Sequence, residues 1–88
     1  GKNPIAEAEK EFFYAYKDDL FYIKAKKIKS DEIVYKIRHY KGDVLSDTLE
    51  IKWDLANGKS TGLYKTNNKT VSYLADENGI IKEEALVN

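Results

Sequence analysis

The sequence predicts an α+β domain: an N-terminal amphipathic helix packed on a curved antiparallel meander of five or six strands. Three observations carry that expectation. In Leu49-Glu50-Ile51-Lys52-Trp53-Asp54-Leu55 apolar residues alternate with charged ones, the period of two expected of a strand with one face buried and the other in water. Alternating segments recur from Leu20 to Lys82, separated by short runs of Gly, Asn, Asp and Ser that favour turns. Ahead of them, Asn3-Pro4 opens a stretch whose apolar residues fall at three- and four-residue spacing, a helical stripe.

The helix is expected from Pro4 to about Tyr16. Asn3 serves as N-cap, Pro4 fits the first helical position, and Glu7, Glu9 and Glu11 sit near the positive end of the helix dipole. Ile5, Ala8, Phe12 and Ala15 or Tyr16 form the stripe. A rival reading makes Phe12 to Tyr16 a strand, because Phe-Phe-Tyr is aromatic and Lys17-Asp18-Asp19 resembles a hairpin turn.

From Leu20 onward the chain reads as antiparallel strands. Leu20 to Lys29 alternates and Ser30-Asp31 returns it. Glu32 to Tyr40 places Ile33, Tyr35, Ile37 and His39 on one face, with Lys36 and Arg38 on the other. After Lys41-Gly42-Asp43 comes the long strand Val44 to Leu55, with a bulge expected near Ser46 because Asp47 interrupts its apolar face. Ala56-Asn57-Gly58-Lys59 suggests a type I′ hairpin leading into Thr61 to Thr66. Asn67-Asn68-Lys69 then turns into Val71 to Leu74, and Asp76-Glu77-Asn78-Gly79 into a short strand from Ile80 to Lys82. Glu83 to Asn88 reads as a half-turn of helix or a frayed edge. Short connections throughout imply a meander. The face of Glu50, Lys52, Asp54, Lys36 and Arg38 is expected to be wet. The alternative architecture is a small half-open β-barrel.

Composition bounds the function. At 88 residues the chain is expected to be a single domain over 1–88, of a size that buries roughly 60 to 70% of its unfolded surface. With no cysteine there is no disulfide, thiolate cage or thiol nucleophile. The 15 Lys+Arg balance 15 Asp+Glu, which argues against nucleic acid as the dominant partner. The halves differ: residues 1–41 hold ten Lys/Arg against seven Asp/Glu, and 42–88 hold five against eight. No apolar run approaches the roughly 18 residues of a membrane span, and no signal peptide is evident, so a soluble chain without a span is expected. The chain opens Gly-Lys-Asn-Pro and contains no methionine. That suggests a removed initiator, an excised domain or a mature secreted form.

Catalytic and metal motifs are absent from the sequence. His39 is the sole histidine, and no motif places a nucleophile or an orienting carboxylate beside it, so a structural role is favoured. Asp76-Glu77-Asn78-Gly79 resembles the start of a calcium loop, but the twelfth residue from Asp76 is Val87, not the required glutamate. A turn is favoured. No Walker loop, nucleophile elbow or dinucleotide fingerprint occurs. The chain is therefore expected not to be an enzyme and to need no cofactor. Lys41-Gly42-Asp43 resembles an integrin-binding tripeptide, and Asn68-Lys69-Thr70 is a glycosylation sequon; both patterns are common by chance.

The candidate binding residues are Tyr22, Lys24, Lys26, Lys36, Arg38 and Tyr40. Cations interleaved with aromatic rings on a sheet suit single-stranded nucleic acid. Lysines on an edge strand also discourage edge-to-edge association, which accounts for the same residues without a ligand. Seven tyrosines point instead toward an amphipathic surface for a protein or surface partner. An exposed edge strand would also offer a route to a homodimer.

Tyr22-Ile23, Ile28, Leu49-Glu50-Ile51, Tyr73 and Asn78-Gly79-Ile80 give a spacing that resembles the bacterial surface-adhesin protein E family. That resemblance implies a small envelope protein, a helix paired with an antiparallel sheet, and a role in adhesion. The family's cysteines are absent, and Lys24 stands where an aspartate is expected, so no binding residue carries over. The leading expectation is a non-enzymatic bacterial binding module, secreted or envelope-associated rather than cytoplasmic. The alternatives are a cytosolic single-stranded nucleic-acid binder and a small inhibitor or immunity protein.

Overall fold

Seven strands follow one another along the chain: β1 (Glu9–Tyr16), β2 (Asp19–Lys29), β3 (Glu32–Lys41), β4 (Val44–Asp54), β5 (Lys59–Lys65), β6 (Lys69–Asp76) and β7 (Gly79–Val87). They come from a computed structural model that describes residues 9–87. Each strand pairs antiparallel with the next, in the order β1-β2-β3-β4-β5-β6-β7. Among the described residues β1 and β7 are the two open edges, and the half-open barrel is not formed.

The α+β expectation of a helix on five or six strands is therefore corrected to an all-β single sheet of seven strands among the described residues. No helix occurs among the described residues. Glu9 to Tyr16, the described part of the expected helix, is strand β1; Pro4 to Ala8 lie outside the described residues. Pairing explains why the strand wins. Phe12 faces Ile23, Phe13 faces Tyr22 and Tyr14 faces Phe21, so aromatics on both faces find cross-strand partners. A helical stripe would have used only one side of this segment. The strand expected from Ile80 to Lys82 is present but longer: the nine-residue β7 takes in Glu83 to Val87, where a half-turn of helix or a frayed edge was expected, and is held against Lys69–Asp76; Asn88 lies outside the described residues.

The turns follow from local chemistry. Lys17 carries a φ of 56° in the two-residue connection between Tyr16 and Asp19. Gly42 at 59° and Gly79 at 125° supply conformations that cost a side-chain-bearing residue more. The β4–β5 connection is not the type I′ turn expected, because Asn57 does not take the positive φ that such a turn needs and only Gly58 does. Asp54 and Lys59 pair across a four-residue loop. The Asp54 carboxylate organises it, accepting from the Ala56 and Asn57 amides at 3.1 and 3.3 Å and from Asn57 Nδ2 at 2.7 Å.

Opposed residues in an antiparallel pair share a face, so the register sorts the side chains into two surfaces. Phe21, Ile23 and Ala25 lie opposite His39, Ile37 and Tyr35. These continue through Leu49, Ile51 and Trp53 of β4 to Tyr64, Val71 and Tyr73. This is the apolar face. The opposite, charged face carries Tyr22, Lys24, Lys36, Arg38, Glu50 and Lys52. Register shifts at Ile28, Ser46 and Ile81 are bulges, which raise the local twist; the one at Ser46 is where the interruption by Asp47 suggested it.

A single layer cannot make a conventional core. Among the described residues only Val34, at 9% exposure, and Val71, at 3%, are buried. No helix covers the sheet among the described residues. The apolar face stays open to solvent among the described residues. The radius of gyration, 14.8 Å, exceeds the ~12 Å typical of a compact domain of this length, as one extended layer would.

Candidate binding site

All six candidate residues lie on the charged face. Tyr22 stands opposite Arg38, Lys24 opposite Lys36, and Lys26 opposite Val34. The structure gathers Tyr22, Lys24, Lys36 and Arg38 around one concavity of about 280 Å³, where Glu50 is the one carboxylate and Lys65 a further cation. Lys26 borders a neighbouring hollow of about 330 Å³ with Lys24 and Lys36. Tyr40, opposite Leu20 near the strand end, lines neither.

Tyr22 is fixed on several sides. Phe13 stacks on its ring at a centroid distance of 5.0 Å, and the Arg38 guanidinium lies over the ring at 5.8 Å. Its hydroxyl donates to Glu11 at 2.5 Å. That bond to a carboxylate, reinforced by burial, pushes the Tyr22 phenol above its usual range. Lys24 is held by Glu9 at 3.2 Å, and this hydrogen bond raises its pKa. Lys36 and Lys65 make no ion pair with another described residue. Among the described residues lining the hollow, Lys36 and Lys65 are thus the lysines without an ion pair.

Lys65, Glu50 and Thr48 were not among the sequence candidates. Counting back from the Asn57-Gly58 turn in register would have found Lys65, since it pairs with Thr48.

A second cluster sits at one end of the apolar face. His39 Nε2 lies 2.8 Å from Asp19 Oδ1, and Nδ1 lies 3.1 Å from Asp47 Oδ2. The Ser46 hydroxyl donates to Asp47 at 3.2 Å, and Lys41 Nζ is 3.7 Å from Asp19. The carboxylates of Asp19 and then Asp47 raise the His39 pKa above 6.5, and the His39 hydrogen bond lowers that of Asp19. Burial, reinforced by the charge of Asp47, raises the pKa of Tyr64. The sequence missed these carboxylate partners. Asp47 on an otherwise apolar strand face was the available signal, because a carboxylate there needs a hydrogen-bonding partner.

This cluster does not make a hydrolytic site. Both imidazole nitrogens are engaged by carboxylates, so neither is open to a substrate or to the Ser46 hydroxyl. The two carboxylates approach opposite sides of the ring and do not converge on a point. Among the described residues no group of three or more His, Cys, Asp or Glu is placed to hold a metal ion. Asp76-Glu77-Asn78-Gly79 forms the β6–β7 turn, with Asp76 Oδ1 accepting from the Asn78 amide at 2.8 Å. No helix among the described residues is long and apolar enough to cross a membrane.

Comparison with protein families, curated proteins and solved structures finds no match. The functional reading rests on the geometry of the sheet.

Proposed function

We propose that this chain is a non-enzymatic binding module of a small bacterial secreted or envelope protein, and that it contacts a partner's acidic surface through the hollow around Arg38. The observation that carries this reading is the cluster of Lys24, Lys36, Arg38 and Lys65 about one concavity with a single carboxylate. Opposed cations repel at close range, and a carboxylate-bearing partner relieves that cost. The engagement of both His39 nitrogens supports the non-enzymatic part.

An acidic protein surface fits better than a nucleic acid. Stacking platforms need an open aromatic face, whereas the Tyr22 ring is already in contact with Phe13 and with Arg38. The formal charge of zero also provides little long-range attraction for a polyanion.

Fluorescence anisotropy with a labelled glutamate-rich peptide and a labelled oligouridylate tests this. The peptide is expected to bind, and Arg38→Glu to weaken it at least tenfold, with Tyr40→Ala having no effect. Tight oligouridylate binding that falls steeply with salt, with no peptide binding, would overturn the reading in favour of single-stranded nucleic acid.

A further inference from the structure

We propose that the apolar face is the interface with a second copy of this chain, two sheets packing face to face as a β-sandwich. This concerns the surface opposite Lys36 and Arg38 and does not depend on what they bind.

The first argument is area. Seven strands about 4.8 Å apart, paired over about 25 Å of their length, present a flat footprint of roughly 700 Å² on each side. A stable interface takes about 800 Å² of accessible surface from each partner, so one face supplies nearly the whole requirement. A monomer rarely exposes an apolar patch of more than about 300 to 600 Å².

The second argument is the placement of charge. In a two-fold interface a residue on the axis meets its own copy, so a central charge would meet a like charge. The middle of this face, formed by Ile23, Tyr35, Ile37, Leu49, Ile51 and Tyr64, holds none. The charged members of the face stand toward its margins: Asp19, Lys41 and Asp47 at one end of β2, β3 and β4, Lys27 at the other end of β2, Lys69 at the start of β6, and Lys10 and Glu83 on edge strands β1 and β7. A neutral centre with a charged rim is the composition of a homodimer interface.

Shape agrees with this. A hollow of about 630 Å³ runs between Ile23, Ile37, Ile51 and Trp53, large enough to receive side chains from an opposing sheet, as inner faces of sandwiches interdigitate. Edge pairing through β1 or β7 is the rival, but it would leave the apolar face in water.

Because the chain has no cysteine, single thiols can report on each face. Sedimentation equilibrium from 1 to 100 μM, concentrations chosen on the order of a typical protein dimer's range, is expected to give a mass of about 20 kDa, twice 10.1 kDa. Ile51→Lys is expected to weaken the dimer at least a hundredfold. In the Tyr35→Cys variant the thiol should react with a maleimide at least tenfold more slowly as protein concentration rises. In Leu63→Cys, on the charged face, the rate should not change. Circular dichroism of each variant separates loss of dimer from loss of fold. A monomer across the whole range would overturn the proposal. So would a dimer in which both thiols react equally fast, the sign of edge-strand pairing.

Discussion

The imidazole of His39 lies flat on the ring of Phe21, centroids 4.4 Å apart and planes within 5°. Their strands are paired, Phe21 directly opposite His39, and Tyr14 lies beside Phe21 with its ring tilted by 39°, centroids 6.3 Å apart. The stack leaves both ring nitrogens pointing along the sheet toward Asp19 and Asp47. One side chain thereby ties β2, β3 and β4 together.

That tie is pH-dependent, and its sign follows from the protonated state. The folded-state pKa of His39 is raised above 6.5 by the carboxylates of Asp19 and Asp47. The stabilisation is fully present below about 6.5, the unfolded value, and is lost as pH rises through the raised folded value. The Asp19 pKa is lowered below 3.8 by the hydrogen bond from His39, so its share is lost as pH falls through that lower value. Thermal melts should show stability decreasing as pH rises from about 6.5 in the native chain, and His39→Gln should remove that slope. Imidazole NMR signals, which here arise from a single histidine, should titrate above 6.5, the ordinary value of a histidine.

Lys17 holds a left-handed φ of 56°, a conformation that costs a non-glycine residue about 1 kcal/mol. Lys17→Gly should stabilise the chain by up to about 1 kcal/mol, less the greater entropy glycine loses on folding. Gly79, at φ 125°, is the reverse case. Gly79→Ala should destabilise by about 1 to 3 kcal/mol. Urea unfolding of the two variants should move the midpoint in opposite directions.

Val71 and Val44 separate burial from residue type. Val71 is 3% exposed and Val44 66%. Removing two buried methyl equivalents costs about 1.5 to 2 kcal/mol, so Val71→Ala should lower stability by that much. Val44→Ala should stay within about 0.5 kcal/mol. Equal effects would show that Val44 is covered in solution.

Hydrogen exchange should grade outward from the middle of the sheet. β3 and β4 each have a neighbour on both sides, whereas β1 and β7 have one. Alternate amides of β1 point away from β2 and should exchange within seconds to minutes, faster than those of β3, as open-edge groups do. Uniform protection along β1 would mean that a strand from another chain covers this edge.

Six strand positions were legible from alternation and turn residues alone, because period two and Gly, Asn or Asp punctuation are local properties of the chain. The composition of each face was legible for the same reason: once Ile33, Tyr35 and Ile37 alternate with Lys36 and Arg38, geometry assigns them to opposite sides. Phe12 to Tyr16 was not legible. Its spacing and the Asn3-Pro4 start favoured a helical stripe over the rival strand, and the decision for the strand came from partners on β2 that only the folded register supplies. The clamp on His39 and the inclusion of Lys65 beside Lys36 have the same origin. Asp19 lies twenty residues from His39, and Lys65 is brought in by the β4–β5 pairing. Local propensity is set within a few residues, whereas contact across strands depends on register. Register, in turn, is what left one whole face of this sheet apolar and uncovered among the described residues.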